Sequence, residues 1–288
     1  MKFVTVATHS TPDFEIFRKS AEHHKVSFDI LGWGKEYTSH KCKSIWLIEY
    51  LINLPNDEIV FYTDGYDALI LTSEEEILRN FNRLNHSVIY SAEQNINFDG
   101  PFIKKVATYL RVKKGKKPYQ FLNAGQWIGR AGAVLNIIKE TLSSDEFDSD
   151  NNNDQSLLIE YMSHYPDAIK LDYDNLIFSC TAGRTGLEKL DYSIKNDRIF
   201  NNITETTPCS IHFAAKNFEG ANWVVSQVSF LHDVVFTSQT PQYSWYKFKN
   251  RLIDLTCQDN FLFHLVVHFL LVIVILLLAG YLFLFLLY

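Results

Sequence analysis

The sequence predicts an α/β domain built on a mainly parallel mixed sheet, with one long apolar helix at its C-terminal end. Three observations predict it. Apolar runs of strand length alternate with segments of helical period over most of the chain. The run EIVFYT, residues 58–63, is almost wholly apolar, as a parallel strand covered on both faces should be. From Leu265 to Tyr288 no residue carries a formal charge.

The elements follow in order. FVTVAT is the first strand. Thr11 and Pro12 open a helix, Thr11 as N-cap and Pro12 at the first helical position. Phe14, Phe17 and Ala21 then share its inner face. VSFDIL is the second strand and ends at Gly32-Trp33-Gly34. Residues 41–53 read as a helix, and EIVFYT is the third strand. Ser73 with Glu76 forms a capping box for the next helix. SVIYSAE is a further strand, YQFLNAGQWIG a strand, turn and strand, and AGAVLNIIKETL a helix. The polar stretch SSDEFDSDNNN leads to a helix beginning near Asp154, and SIHFAAKN is a late strand and turn. No internal repeat and no Pro/Gly linker divides residues 1–225.

The 288 residues, 47% hydrophobic, suffice for one large domain. A net charge of −6 without a basic run argues against a nucleic-acid partner. Cys42, Cys180, Cys209 and Cys257 are scattered and form no CxxC pair, which argues against structural zinc and against a disulfide scaffold. They are expected to be mostly buried thiols. The N-terminal MKFVTVATHS turns polar too soon for a secretory signal.

The 24 residues from Leu265 to Tyr288 would extend about 36 Å as a helix, against a hydrocarbon core of about 30 Å. They are expected to cross a membrane. Trp245, Phe248, Leu252 and Leu255 would share a face of a juxtamembrane helix, with Lys247, Lys249 and Arg251 beside it. The basic excess lies before the span, so positive-inside places the rest on the cytoplasmic face, with the tail as sole anchor. The expected divisions are a catalytic domain at 1–225, a connector at 226–260 and an anchor at 261–288.

Asp64 and Asp67 stand at the carboxyl end of the third strand, where ligands bind in open α/β sheets. At about 4–5 Å two carboxylates repel by roughly 1 kcal/mol in water and about 3–4 kcal/mol at an effective dielectric of 20. An Asx-type turn with an unusual backbone angle at Gly65 accounts for the pair without a ligand. A strand buried on both faces instead delivers it to the sheet rim, where the larger repulsion applies and a divalent cation would relieve it. Oxygen ligands with an imidazole suit Mn²⁺ or Mg²⁺ better than zinc.

YTDGYDALIL, FLNAGQWIG, NNNDQSLL and SIHF, with VTVAT, RKSAEHHKVSFDILGWGKEY, SAE and KLDYDNLIF, occur in this order between about Phe3 and Asn217. In these stretches the chain resembles the glycosyltransferase domain of the procollagen lysyl hydroxylases, a nucleotide-sugar glycosyltransferase of the A-type fold. Nothing in it resembles that family's iron- and oxoglutarate-dependent hydroxylase domain. The resemblance implies a metal held by Asp64, Asp67 and His212. It puts Val6, Ala7 and Thr8 at the uracil, Tyr66 against the nucleoside and Lys41 near the donor phosphates. Asn123 and Gly125 form the sugar-side turn, and Glu93 and Gln155 lie on the sugar and acceptor side. Asp154 matches the last acid of a poly-aspartate run, here diluted to SDNNND. Lys216 lies in a turn that is shorter than the family's and lacks its glycine.

The implied reaction moves a hexose, galactose or glucose by analogy, from a UDP-sugar to a protein or glycan hydroxyl. Hydroxylysine of a collagen-like protein is one such acceptor. A divalent ion and a lysine, Lys216 or Lys41, would neutralise the departing diphosphate. Asp154 would take the acceptor proton or orient the sugar, besides capping its helix. Trp33 would either cover the nucleotide or plug the core. Two other readings use the same acids: a metal-dependent phosphohydrolase or nucleotidyltransferase, and a non-catalytic, membrane-tethered sugar-binding protein. The sequons at Asn85 and Asn202 could be modified only in the secretory lumen, the alternative location.

Overall fold

The structure is a computed structural model that describes residues 1–94, 109–110, 117–143, 154–181, 191–214, 218–237 and 260–287. The chain divides into two compact units, Met1–Pro241 and Gln242–Tyr288.

The first unit holds strands β1 (Lys2–Val6), β2 (Phe28–Leu31), β3 (Ile59–Thr63), β4 (Ala68–Ile70), β5 (Val88–Glu93) and β6 (Phe121–Arg130). Short strands β7 (Lys170–Leu171), β8 (Phe178–Cys180), β9 (Tyr192–Lys195), β10 (Arg198–Asn201) and β11 (Ser210–His212) follow. The helices are α1 (Pro12–His23), α2 (His40–Leu51), α3 (Glu74–Leu84), α4 (Ala131–Leu142), α5 (Asp154–His164) and α6 (Phe218–Ser226).

Six strands form the main sheet in the order β2-β1-β3-β6-β5-β7. The sheet is mixed, as expected, with three of its five pairings parallel. β1 runs parallel to β2 and β3, and β5 to β7, but β6 is antiparallel to both β3 and β5. Side chains alternate across it. Phe3, Phe61, Ile89 and Ile128 face a core completed by Phe14 and Phe17 of α1 and by Ile77 and Phe81 of α3. On the opposite face Tyr62 stacks on Trp127 and Tyr90 tilts against it, beside residues of α2, α4 and α5. Thr11 caps α1 as the sequence predicts, its Oγ1 accepting the Phe14 N–H at 3.1 Å.

Two local expectations are corrected. YQFLNAGQWIG is one strand with a bulge, not strand, turn and strand: Tyr90 pairs with Trp127 and Ser91 with Asn123, so Ala124, Gly125 and Gln126 have no partner on β5. Ser73 precedes α3 but makes no side-chain cap. Glu76 is drawn away by the Thr72 hydroxyl at 2.6 Å and by the Arg198 guanidinium, two bonds of 3.0 Å each.

A second sheet, β4-β11-β8, packs beside the first, with β11 antiparallel to β4 and parallel to β8. Leu69, Ile211, Phe213, Val224, Val228, Leu231 and Phe236 form its core. The Thr237 N–H donates to Asp13 Oδ1 at 2.9 Å, so residues 226–237 stay on this unit. Cys180 and Cys209 are buried and Cys42 is half-buried.

In the second unit, Asn260–Leu287 is a single 28-residue helix, α7. Its side chains are described for residues 265–278 and are exposed, Val267 excepted. Among the described residues no helix is long and apolar enough to cross a membrane. The amphipathic stretch 245–255, the polar stretch from 144 to 153 and Lys216 lie outside the described residues.

Candidate active site

Sheet pairing brings the metal candidates together. β3 ends at Thr63, and the Asp64 N–H continues its pairing by donating to the Gly125 carbonyl at 2.8 Å. Asp67 follows one turn later and leads into β4. His212 pairs with Ala68 across β11 and β4, and the Phe213 N–H donates to the Asp67 carbonyl at 2.7 Å. His212 Nε2 therefore sits 3.3 Å from Asp67 Oδ1 and 3.9 Å from Asp64 Oδ2. One ligand atom from each of the three residues lies within 4.8 Å of the others, the single such group among the described residues.

The imidazole is aimed from behind. Its Nδ1 lies 2.9 Å from Asn123 Oδ1, which also accepts the Gly125 N–H at 3.0 Å. An amide oxygen can only accept, so Nδ1 carries the proton and Nε2 turns to the two carboxylates. Gly125 is required by space: a Cβ there would lie 2.3 Å from His212 Cε1 and 2.6 Å from Nδ1. Burial alone would lower the His212 pKa, but the facing Asp67 carboxylate outweighs it and holds the ring well above its ordinary range. Two acids and an oriented, buried imidazole fit a divalent cation of the Mn²⁺ or Mg²⁺ type.

Gly65 does not supply an unusual angle. Among the described glycines only Gly32 and Gly34 have positive φ, +79° and +74°. A Cβ at Gly65 would instead meet Thr5 Oγ1 at 2.8 Å, so the turn needs a residue without a side chain.

The cluster opens into a cavity of about 670 Å³ lined by Val6, Ala7, Thr8, Tyr66, Asn123, Ala124, Gly125, Asp154, Gln155 and the three metal candidates, among others. Tyr66 closes one side; its hydroxyl accepts the Thr8 N–H at 3.0 Å and donates to the His9 carbonyl at 2.9 Å. Gln155 bridges the far wall. Its Oε1 accepts the Ala124 N–H at 3.1 Å, and its Nε2 donates to Glu93 Oε1 at 2.7 Å. Glu93 is thus a buried support under the bulge.

Lys43 is the cation of this cavity, where the sequence pointed to Lys41. Its ammonium lies 2.8 Å from Asp154 Oδ2 and 3.3 Å from Asp64 Oδ1, with its side chain 9% exposed. Burial disfavours its charge, but Asp154 and Asp64 more than restore it, so it stays protonated. Lys41 is half-buried and is not among the lining residues. The signal was present: Lys43, Trp46 and Leu47 stand at i, i+3 and i+4, the spacing of one helix face, and all three are buried. Tyr37, His40 and Tyr62 also line the cavity and were missed. Trp33 is 51% exposed and lines a separate shallow groove with Trp46 and Tyr50, so it neither plugs the core nor walls this cavity.

A mixed α/β sheet with two acids and an imidazole grouped at its strand ends has the residues to hold a divalent cation. Residues 1–220 match the family described as the PLOD GT domain, and the chain belongs to that family. It is 26% identical over 219 residues to procollagen-lysine,2-oxoglutarate 5-dioxygenase 1 of Gallus gallus, which covers 73% of this chain and 29% of that protein. It is 26% identical over 249 residues to the multifunctional procollagen lysine hydroxylase and glycosyltransferase LH3 of Rattus norvegicus, covering 83% of this chain and 32% of LH3. The match thus spans less than a third of the length of either relative. Among solved structures, the galactosyltransferase LgtC aligns with 85% of this chain and all of its own at 10% identity and a TM-score of 0.48.

Proposed function

We propose that this protein is a metal-dependent glycosyltransferase of the A-type fold that moves a hexose, galactose or glucose, from a UDP-sugar to a hydroxyl acceptor. The acceptor is a protein or glycan hydroxyl, with hydroxylysine of a collagen-like chain as the first candidate. The observation that carries the reading is the Asp64–Asp67–His212 cluster beside Lys43 on the floor of one cavity. Asp64, Asp67 and His212 would hold Mn²⁺, or Mg²⁺, which when bound supplies Lewis-acid neutralisation of the diphosphate.

The chain's own groups divide the remaining work. Val6, Ala7 and Thr8 would hold the uracil with Tyr66 across from them. Lys43 would turn from Asp154 and Asp64 to the diphosphate as the sugar–oxygen bond breaks and charge builds on the leaving oxygen. Asp154, released from Lys43, would take the proton of the hydroxyl that attacks the sugar carbon. Asn123 and Gly125 would face the sugar, Gln155 and Glu93 holding their bulge in place. The test is UDP-sugar hydrolysis and transfer by the full chain during an Mn²⁺ titration, across a panel of donors. Asp64→Ala and Asp67→Ala are expected to abolish both activities; full turnover in either would remove the metal assignment.

On the sequence alone, the same proposal extends to a membrane: the uncharged run 265–288 would enter a bilayer, with the catalytic unit on the cytoplasmic face. The uncharged run 265–288 and the basic residues 247–251 support it. The full chain should float with liposomes and resist alkaline extraction, and a chain ending at Asp259 should do neither. Asn85 and Asn202 are both exposed, so a glycosidase-sensitive mass shift would move the unit to the lumen.

A further inference from the structure

We propose that Tyr62 is a positioning residue that decides which oxygen of Asp64 faces the cation; the proposal rests on the metal-site reading above. The two oxygens of Asp64 have different surroundings. Oδ1 accepts the Tyr62 hydroxyl and lies 3.3 Å from Lys43 Nζ. Oδ2 lies on the ligand side, 3.9 Å from His212 Nε2. The Asp64 side chain is 33% exposed, so nothing in its packing alone stops the carboxylate from turning.

The tyrosine is built to stop it. Its ring is fully buried and stacks on Trp127 at 5.4 Å and 14°, and Lys43 Nζ stands 5.0 Å from the ring centre. The hydroxyl is therefore carried by a ring that cannot follow a wandering carboxylate. Lys43 is a poorer restraint, because its ammonium is shared with Asp154 at 2.8 Å and is the group a diphosphate would draw away. Tyr62 keeps hold of Oδ1 when Lys43 moves. Asp64 then offers the cation Oδ2 in a fixed direction, and a two-oxygen grip would have to turn Oδ1 against its bond to the hydroxyl.

The experiment is Mn²⁺ binding to the full-length protein without nucleotide, read by calorimetry and by the electron paramagnetic resonance of free Mn²⁺. Tyr62→Phe keeps the ring and its stack. It is expected to weaken Mn²⁺ binding about tenfold, the usual scale for losing a group that orients a ligand, with the metal-free unfolding midpoint close to wild type. In an Asp64→Asn background the same substitution should cost nothing further. Unchanged Mn²⁺ affinity in Tyr62→Phe, an equal loss in both backgrounds, or a lower midpoint with affinity intact would each overturn the proposal. Wild-type protein that binds no Mn²⁺ would overturn the metal site itself, a result distinct from any of these.

Discussion

Gly125 sets the spacing of the whole ligand cluster. Its missing side chain is the volume into which the His212 ring fits, and a Cβ there would also come within 3.0 Å of Asp64 Oδ2. Gly125→Ala should therefore displace the ring or spread the bulge, a strain of about 1–3 kcal/mol. The expected outcome is at least a tenfold loss of Mn²⁺ affinity by calorimetry in a protein whose circular dichroism is unchanged. The acids were legible at this scale because they lie three residues apart after an apolar strand. His212 was not, since a histidine in an apolar run is more often structural; family resemblance alone singled it out. Lys43 was obscured by Lys41, which is nearer the start of the helix but off its buried face.

At the scale of elements, period and capping located almost every helix and long strand. α4 matches its predicted span, and Thr11 caps α1 as read. What failed had tertiary causes. Nothing local in AGQ announces a bulge, because the bulge is defined by pairing with β5. Glu76 follows Ser73 at capping-box spacing, yet a distant arginine on β10 outcompetes the cap. Strands as short as β7 and β8 carry too few residues for an alternation to be seen.

The end of α1 carries a pH dependence. His24 Nε2 is buried without a hydrogen-bond partner among the described residues. Burial first, then the neighbouring His23 and Arg198, push the His24 pKa from 6.5 down to about 4, against a smaller pull from Glu76. The unfolded chain then binds the proton more readily than the folded one. This contribution to stability is intact above pH 6.5 and is lost as the pH falls toward 4. Unfolding midpoints measured across that window should drop with acid, and His24→Gln should flatten the slope. An unchanged slope would assign the acid sensitivity to other groups.

Over the whole molecule, the α/β class with its mainly parallel mixed sheet was legible from the alternation of strand and helix, and which strand reverses was not. β6 reads as an apolar run whichever way it points, so direction had to come from pairing. The site shows the same division. Its residue types could be read from short motifs, but its geometry depends on β11 closing against β4, two strands far apart in the chain.

The ligand cluster and its supports come from the ends of β1, β3 and β11, the bulge of β6 and the starts of α2 and α5. No fragment shorter than nearly the entire unit contains them all. An ion seated there would act as a clasp on the finished fold, with no counterpart in any partly assembled chain. At a hundredfold excess over its dissociation constant it would add about 2.7 kcal/mol to the free energy of unfolding. Availability of the metal would then govern how long the protein survives as well as how fast it works.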